Sequence, residues 1–222
     1  MTKLAAVIFD LDGTIVDDEP LWEDAFLEVM KKHTIPISRL QNSGGWVHEP
    51  GVGLERNWRS ILPERRSVEE LVLDTRKVYS RLFMDSEGLG PRAGLGELLT
   101  AIKGKGLMTA LATSSYWGVA EEVLDKLGLA QIFDVTTTGE EVTNLKPDPE
   151  IYLLTAQKLE VEPGECLVVE DAAAGVEAAA AAGCRVAVIK SDYLDRKRLG
   201  GAEGKYRIID NYQQLVEELE NL

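Results

Sequence analysis

Short apolar runs alternate with longer amphipathic segments along most of this chain. Several of the runs end abruptly in polar residues, which is typical of buried strands in a parallel sheet. From about residue 93 onward, segments with a helical spacing of apolar residues lie between the runs. This alternation predicts an α/β fold, with a doubly wound, mostly parallel sheet and helices on both faces. The predicted strands cover residues 4–9, 107–112, 132–136, 166–169, 185–189 and 206–209.

Residues 15–91 do not follow this alternation. They contain no apolar run of the strand type, but three charged segments with helical periodicity, at residues 21–30, 54–61 and 68–83. Glycine and proline are concentrated at residues 88–94, as in a linker or hinge. The pattern predicts an α-helical insertion after the first strand. Acidic residues 17–19 precede its first helix, where we expect capping and the helix dipole to account for them.

The composition is that of a globular protein, with 45% hydrophobic and 28% charged residues among 222. Acidic residues outnumber basic ones by 38 to 24, and the formal charge of −14 would repel a phosphate backbone. We therefore expect no nucleic-acid partner. No apolar stretch reaches the roughly 18 residues of a membrane span, and the N-terminus does not have the pattern of a signal peptide. These features predict a cytoplasmic protein that has no membrane partner, and we expect a monomer.

Polar side chains that could carry chemistry follow the predicted strands. Ligands of an open parallel sheet bind beyond the carboxyl ends of its strands, so these side chains should meet at one edge. A lysine would join them from a loop before a later helix, in which we expect Asp148 as the cap and Pro149 as the first residue. The converging residues are Asp10, Asp12, Thr113, Ser114, Lys146, Glu170 and Asp171.

Four carboxylates at one edge repel one another unless a cation neutralises them. Their oxygen atoms suit Mg²⁺, which often bridges protein carboxylates and a phosphate. The predicted cluster contains no histidine or cysteine, which argues against zinc. A lysine and hydroxyl groups would then bind the oxygens of an anion, as phosphoryl transfer requires. We predict a Mg²⁺ site at Asp10, Asp12, Glu170 and Asp171, and a phosphate site at Thr113, Ser114 and Lys146.

An aspartate is the expected nucleophile, because no Ser–His–Asp or Cys–His pairing is visible and both histidines lie in the helical insertion. Asp10 and Asp12 are two residues apart at a strand end, so their side chains point to the same side. Asp10 can attack phosphorus, while Asp12 protonates the leaving oxygen and later deprotonates a water molecule. Gly13 allows the chain to turn sharply after them.

These motifs, in this order, resemble those of the haloacid dehalogenase-like hydrolase superfamily. They are DLDGT at residues 10–14, Thr113, Lys146 before a proline, and EDAAAG at residues 170–175. The resemblance covers nearly the whole chain. It implies that Asp10 is the nucleophile and a Mg²⁺ ligand, and that Asp12 is the acid and base, with a ligating carbonyl. It also implies that Thr113 and Lys146 bind phosphoryl oxygens, and that Mg²⁺ is bound by Asp171 and, directly or through water, by Glu170.

The resemblance is to the branch with a helical cap, which includes sugar-phosphate phosphatases and β-phosphoglucomutase. It implies a Rossmann-like catalytic core of residues 1–14 and 92–222, and a mobile helical cap of residues 15–91. The implied activity is a Mg²⁺-dependent phosphatase that hydrolyses a small phosphomonoester, a sugar or nucleotide phosphate, through an aspartyl-phosphate. Dehalogenases of the superfamily lack the second aspartate, so Asp12 disfavours carbon–halogen cleavage.

Two other functions remain open. A β-phosphoglucomutase-like mutase is one, although mutases usually have a histidine in the first cap helix, where Trp22 stands here. A receiver-type signalling module is the other, but receivers are domains of about 120 residues without a helical lid. Trp46 and His48 are the candidate substrate contacts in the cap, while a lid hydrophobe and a surface histidine explain them equally well. The sequence does not identify the phosphate ester.

Overall fold

The computed structural model describes residues 3–40, 47–65, 67–199 and 204–220. Its strands are β1 (Ala6–Phe9), β2 (Met108–Ala112), β3 (Val135–Thr137), β4 (Cys166–Glu170), β5 (Arg185–Ile189) and β6 (Tyr206–Ile209). They form one six-stranded sheet in the order β3-β2-β1-β4-β5-β6, and every neighbouring pair is parallel. The predicted α/β fold with a parallel sheet is confirmed. β2 and β3 lie on one side of β1, and β4, β5 and β6 lie on the other. β1 is therefore central, and it ends at the same edge of the sheet as its parallel neighbours β2 and β4.

The described helices have the order and type that the periodicity predicts. They are α1 (Glu19–Lys32), α2 (Leu54–Ile61), α3 (Glu69–Asp85), α4 (Leu95–Gly104), α5 (Trp117–Leu127), α6 (Glu150–Lys158), α7 (Ala173–Ala182) and α8 (Gln213–Glu220). The expectation for the start of α6 was wrong by one residue. Pro149 precedes this helix instead of being its first residue, and the carboxylate of Asp148 accepts a hydrogen bond from the Glu150 N–H at 3.0 Å.

Both faces of the sheet are buried, which explains why its strands are apolar without alternation. Val7 and Phe9 of β1 face one hydrophobic cluster, to which α4, α5 and α8 contribute. Ala6 and Ile8 face a second cluster, to which α6 and α7 contribute. The alanine-rich sequence of α7 belongs to this second layer, because small side chains allow a helix to lie close against β4 and β5.

The helices α1, α2 and α3 lie between β1 and α4 in the sequence, and they form a hydrophobic cluster of their own. Its central side chains include Phe26, Trp58 and Leu71, which are fully buried. We call residues 15–91 the cap region; its separation from the core as a domain stays a prediction. Among the described residues, no helix has both the length and the apolar character needed to cross a membrane.

Candidate active site

The turn after β1 brings Asp10 against the end of β4. Asp10 follows the last residue of β1 and is buried. Gly13 has φ of +74°, and a β-carbon there would lie only 2.1 Å from Asp171 Oδ2. The glycine is therefore needed both for the left-handed turn and for the close approach of the two segments. Burial raises the pKa of the Asp10 carboxyl well above its usual value, and although the Lys146 ammonium opposes this shift, nearby carboxylates add to it.

The ammonium group of Lys146 lies inside the protein between two carboxylates. Its Nζ donates to Asp10 Oδ1 at 2.5 Å, to Glu170 Oε1 at 2.7 Å and to the Ala112 carbonyl at 3.1 Å. The side chain is completely buried. Burial by itself lowers the pKa of Lys146, but the two carboxylates outweigh it and hold this pKa above its usual value. Lys146 is therefore a fixed positive charge beside Asp10.

Glu170 uses both of its carboxylate oxygens within the protein. Oε1 accepts hydrogen bonds from Lys146 and from the Tyr152 hydroxyl at 2.6 Å. Oε2 accepts from the backbone N–H groups of Asp171 and Ala172 at 3.1 and 3.2 Å. A β-carbon on Gly175 would overlap this carboxylate, at 1.7 Å from Oε1, so the glycine in the first turn of α7 makes room for it. The geometry makes Glu170 the residue that holds Lys146 in place.

Asp171 has the one carboxylate oxygen in the described cluster that is buried and unpaired. Its Oδ1 accepts a hydrogen bond from the Thr14 hydroxyl at 3.2 Å, whereas Oδ2 has no partner among the described residues. Burial raises the pKa of this carboxyl, and the carboxylates of Glu19 and Glu170 raise it further. Burying an unpaired carboxylate oxygen costs free energy unless a ligand binds to it.

The donor set fits a divalent cation. Asp10, Glu170 and Asp171 each offer a carboxylate oxygen, and these atoms lie within 4.8 Å of one another. All three residues are buried, and burial, together with the neighbouring carboxylates, raises the pKa values of Asp10 and Asp171. A hard cation with oxygen ligands would supply the missing positive charge.

Asp12 lies at the same edge, where three side chains converge on its carboxylate. The Trp22 indole N–H donates to Oδ1 at 2.9 Å, and the Ser115 hydroxyl donates to Oδ2 at 2.7 Å. The Thr113 hydroxyl is 3.5 Å from the same Oδ2. Trp22 belongs to α1 of the cap region, so a cap side chain contacts the predicted acid and base directly.

The two hydroxyl residues after β2 occupy different positions. Thr113 is fully buried, and its Oγ1 accepts a hydrogen bond from the Ser115 N–H at 3.0 Å. The Ser114 hydroxyl instead donates to the Gly51 carbonyl of the cap region at 2.7 Å. In this arrangement, Ser114 connects the core to the cap region.

Of the two candidate substrate contacts in the cap region, the structure describes one. Trp46 lies outside the described residues. His48 is buried, so the alternative of a surface histidine was wrong. Its Nε2 lies 2.6 Å from Glu19 Oε2, and its ring stacks on Phe26 with centroids 5.4 Å apart. Packing against Glu19 and Phe26 of α1 explains the burial.

Asp18 does not cap α1 with its side chain, contrary to the expectation from sequence. It occupies the N-cap position but makes no capping bond. Its carboxylate instead accepts from the Gly13 N–H at 3.0 Å and from the Tyr79 hydroxyl. Burial raises the pKa of Asp18 well above its usual value, and the Asp12 carboxylate raises it further. Asp18 therefore joins the turn after β1 to α3 of the cap region.

Sequence reasoning missed four side chains that contact the predicted site residues. Trp22 was considered only as the residue at the position of a mutase histidine, and the hydrogen bonds of the others were not foreseen. Ser115 could have been found, because it continues the polar run after β2, but nothing in a helical sequence marks Tyr152 as a partner of a distant glutamate. The missed residues are Thr14, Trp22, Ser115 and Tyr152.

A second group of possible metal ligands lies in the cap region, at His33, Glu70 and Asp74. Asp74 Oδ2 accepts a hydrogen bond from Lys32 Nζ at 2.7 Å, and His33 Nε2 lies 2.6 Å from the same oxygen. Hydrogen bonds from Lys32 and His33 hold the pKa of Asp74 below its usual value. Because a lysine already neutralises this carboxylate, we interpret the group as an ion-pair network.

A cavity lies between the cap region and the edge of the sheet. Asp10, Asp12 and Trp22 line it, together with His48 and Glu19. Its volume is about 50 Å³. A water molecule needs roughly 10–15 Å³ on this measure, so the cavity holds a few waters. The cap region thus covers the predicted nucleophile in this conformation.

Comparison with known proteins shows to which family the sequence is similar. A model of the haloacid dehalogenase-like hydrolase family matches residues 4–183. The chain is 38% identical over 185 residues to a phosphorylated carbohydrates phosphatase of Thermotoga maritima, with 81% of this chain and 82% of that protein covered. It is 34% identical over 193 residues to hexitol phosphatase B of Escherichia coli, with 84% of each chain covered.

A solved structure of β-phosphoglucomutase from Clostridium difficile is similar with a TM-score of 0.80, at 24% identity and over 98% of this chain and 97% of that one. This likeness concerns the fold alone, which phosphatases and mutases can share. The family match covers more than half of the sequence, and it includes the turn after β1, Lys146 and the end of β4. The chain therefore belongs to the haloacid dehalogenase-like hydrolase family.

Proposed function

We propose that this protein is a Mg²⁺-dependent phosphatase that hydrolyses a small phosphorylated carbohydrate through an aspartyl-phosphate on Asp10. The observation that carries the proposal is the position of Lys146, fully buried between Asp10 and Glu170, which together with Asp171 each offer a carboxylate oxygen within 4.8 Å of the others. A fixed ammonium beside a buried carboxylate pair is suited to bind a phosphoryl group at a nucleophile. The names of the two related phosphatases support a carbohydrate phosphate as substrate.

Mg²⁺ would be held by Asp10 and Asp171, with Asp12 and Glu170 at the same site. Asp171 Oδ2 is the ligand atom that lacks any other described partner. Glu170 has both oxygens engaged, which supports contact through water rather than a direct bond. When bound, Mg²⁺ would offset the negative charge of the phosphoryl oxygens as they approach the carboxylates.

Asp10 carries out the first displacement. An Asp10 oxygen attacks phosphorus, a bond forms between them, and the bond from phosphorus to the ester oxygen breaks. Asp12 in its protonated form gives its proton to that departing oxygen, so the carbohydrate leaves as an alcohol. Lys146 donates to Asp10 and is placed to bind a phosphoryl oxygen, because its ammonium group is fixed by Glu170.

Asp12 then acts as a base in the second displacement. Its carboxylate takes a proton from a water molecule, which attacks phosphorus and releases inorganic phosphate, while the bond to the Asp10 oxygen breaks. The hydrogen bonds from Trp22 and Ser115 hold the Asp12 carboxylate in one orientation through both steps. We assign Thr113, Ser114 and Lys146 to the remaining phosphoryl oxygens.

The cap region, residues 15–91, must move for the substrate to reach Asp10. A cavity of about 50 Å³ is far smaller than the roughly 300–1,000 Å³ of a site for a small organic ligand. The contacts that would break include the Ser114 hydrogen bond to the Gly51 carbonyl. Closure around the bound ester would then exclude bulk water from the nucleophile.

The contact between Trp22 and Asp12 favours hydrolysis over a mutase reaction. An indole N–H is a hydrogen-bond donor that neither accepts nor transfers a proton. A mutase keeps the sugar for a second phosphorylation. Trp22 can orient Asp12, but it cannot relay protons to such a sugar.

The test is release of inorganic phosphate from a panel of hexose and hexitol phosphates by the full-length protein with Mg²⁺. We expect release in the wild type, and loss of it in Asp10→Asn and on removal of the metal with EDTA, with recovery when Mg²⁺ is returned. Asp134→Asn is the matched control, since this carboxylate accepts from the N–H of Thr109, the second residue of β2, at the opposite end of the sheet from Asp10.

Retention of activity in Asp10→Asn would overturn the proposed nucleophile, and activity in EDTA would overturn the metal requirement. Interconversion of sugar phosphates without net phosphate release would instead establish the mutase. Trapping of labelled phosphate on the chain at Asp10 by acid quench would identify the covalent intermediate directly.

A further inference from the structure

His48 is fixed in the cap region by contacts on two sides. Its Nε2 lies 2.6 Å from Glu19 Oε2, and both side chains are about 95% buried, with 5% and 3% exposed. The ring stacks on Phe26 at an interplanar angle of 6°, and the Tyr193 ring lies 6.2 Å away on centroids. The orientation of the imidazole is therefore set by the protein.

Among the described residues, the second ring nitrogen of His48 has no hydrogen-bond partner. This atom, Nδ1, is buried, and the His48 side chain lines the cavity that Asp10 also lines. Buried polar atoms in proteins are nearly always paired. An unpaired nitrogen on a side chain that lines the substrate cavity marks a place where a ligand atom can complete the hydrogen bonding when the cap region moves.

The chemistry of the missing partner follows from Glu19. A carboxylate only accepts hydrogen bonds, so in the neutral ring the hydrogen is on Nε2 and Nδ1 offers a lone pair. A hydroxyl group can donate to this lone pair, whereas a carboxylate or an ionised phosphate cannot. The charge of the wall acts in the same direction. Four carboxylates line the cavity, and although Lys146 pairs with Asp10 and Arg198 with Glu49, those of Asp12 and Glu19 have no lysine or arginine partner among the described residues.

Arg76 is the one arginine that lines the cavity among the described residues, and it is engaged in the wall. Its guanidinium lies over the Tyr116 ring, with its central carbon 4.2 Å from the ring centroid. The lining next to His48 includes the carboxylates of Glu19 and Glu49, so this part of the cavity disfavours a second anion and is suited to an uncharged polar group.

We propose that His48, oriented by Glu19, determines specificity by accepting a hydrogen bond from a hydroxyl of the substrate while its phosphate is at Asp10. This rests on the proposed phosphatase function and refines it: the preferred substrates are polyol or sugar monophosphates, and esters with a second anionic group are rejected. His48 contacts the substrate, and Glu19 is a positioning residue.

The test compares two substrates in one variant. His48→Phe keeps a ring that can stack on Phe26 but has no nitrogen. We expect the ratio of kcat/KM for a hexitol phosphate to that for phenyl phosphate, which has no hydroxyl group, to fall by about tenfold or more, the size of one hydrogen bond. His33→Phe is the matched control, because His33 also lies 2.6 Å from a carboxylate in the cap region but does not line the cavity, and its ratio should stay that of the wild type.

Glu19→Leu gives a second measurement that does not remove the ring. It takes away the acceptor that keeps the hydrogen on Nε2, so the same ratio should fall. Circular dichroism and thermal unfolding establish that each variant is folded; if His48→Phe is not, the ratio in Glu19→Leu decides. An unchanged ratio in the folded variants, or a wild type that prefers a sugar bisphosphate to the monophosphate, overturns the inference.

Failure of the proposed phosphatase function would give a different result from failure of the inference about His48. In that case the wild type releases phosphate from neither substrate. Calorimetric binding of hexitol phosphate and phenyl phosphate to Asp10→Asn, with and without His48→Phe, then tests the inference without turnover. A preference for hexitol phosphate that depends on His48 supports it, and equal preference in both proteins refutes it.

Discussion

Replacing Trp22 with phenylalanine would remove one hydrogen-bond donor from Asp12 and little else from the site. The indole N–H donates to Asp12 Oδ1 at 2.9 Å, while the ring stacks on Tyr79 with centroids 3.6 Å apart and planes at 8°. Phenylalanine keeps an aromatic ring for this stack. The change therefore tests whether the cap region contributes to catalysis through the orientation of Asp12.

The magnitude follows from the strength of the lost bond. A hydrogen bond to a charged group contributes about 1.5–3 kcal/mol, and each 1.36 kcal/mol of barrier is a factor of ten in rate, which brackets the loss at roughly 10- to 100-fold. Asp12 retains the Ser115 hydroxyl at 2.7 Å and is only partly buried, so water can replace part of the loss. We expect kcat to fall by about tenfold.

Trp58→Phe is the matched control for this experiment. Trp58 is also a buried tryptophan of the cap region, and its indole N–H donates to Thr75 Oγ1 at 3.0 Å, within the cap's own hydrophobic cluster. The assay is kcat at saturating substrate and Mg²⁺, with the free energy of unfolding measured in urea for both variants. We expect each variant to lose about 1 kcal/mol of stability, and only Trp22→Phe to lose activity.

An equal fall of kcat in Trp22→Phe and Trp58→Phe would mean that cap stability, and not the donor to Asp12, limits the rate. An unchanged kcat in Trp22→Phe would mean that the hydrogen bond seen here does not act in catalysis. Either result would refute the assigned role of Trp22.

Two further changes test the packing of the site and the charge of the cap region. Gly13→Ala places a β-carbon 2.1 Å from Asp171 Oδ2, so we expect displacement of that carboxylate and a loss of activity of roughly 100-fold. Gly128→Ala is the control, because Gly128 also has a positive φ, of +70°, but no atom lies within 4 Å of its β-carbon. It should lower the free energy of unfolding by about 1 kcal/mol without loss of activity. Asp74→Asn should lower the free energy of unfolding by about 1 kcal/mol at pH 7. Because ion pairing lowers the Asp74 pKa in the folded state, this stabilisation is present above about pH 4 and disappears as the pH falls, which urea unfolding at pH 7 and pH 3 would measure. If the difference in the free energy of unfolding between the wild type and Asp74→Asn were larger at pH 3 than at pH 7, the lowered pKa of Asp74 would be contradicted.

Local patterns were sufficient for the elements of the fold. The four inner strands, β1, β2, β4 and β5, are short, largely buried on both faces and followed by polar residues, because they lie between two layers of helices. Parallel strands end at a common edge, so Asp10, Lys146 and Asp171 could be expected to meet there before any coordinates were known. Lys146 bonds to Asp10 and Glu170, and these two residues and Asp171 each offer a carboxylate oxygen within 4.8 Å of the others.

Partners that are distant in sequence were not predictable in the same way. Asp18 has the local pattern of a helix cap, but its carboxylate bonds to Gly13 and to Tyr79, which is 61 residues away. Trp22 and Ser115 come from separate segments and meet only at the carboxylate of Asp12. A pattern along the chain records which face of an element is apolar, but it does not record which side chain of another element will lie opposite.

The amino-acid sequence by itself determined the order of strands and helices, the helical insertion and the identity of the acids, hydroxyls and lysine at the sheet edge, since periodicity and turn chemistry are local properties. Tertiary structure alone decided that Glu170 holds Lys146 and that His48 is buried against Glu19. It also decided that one oxygen of Asp171 and one ring nitrogen of His48 are without a partner among the described residues. These features depend on desolvation and on distances between remote segments. Packing sets both of them, and no short stretch of sequence contains either.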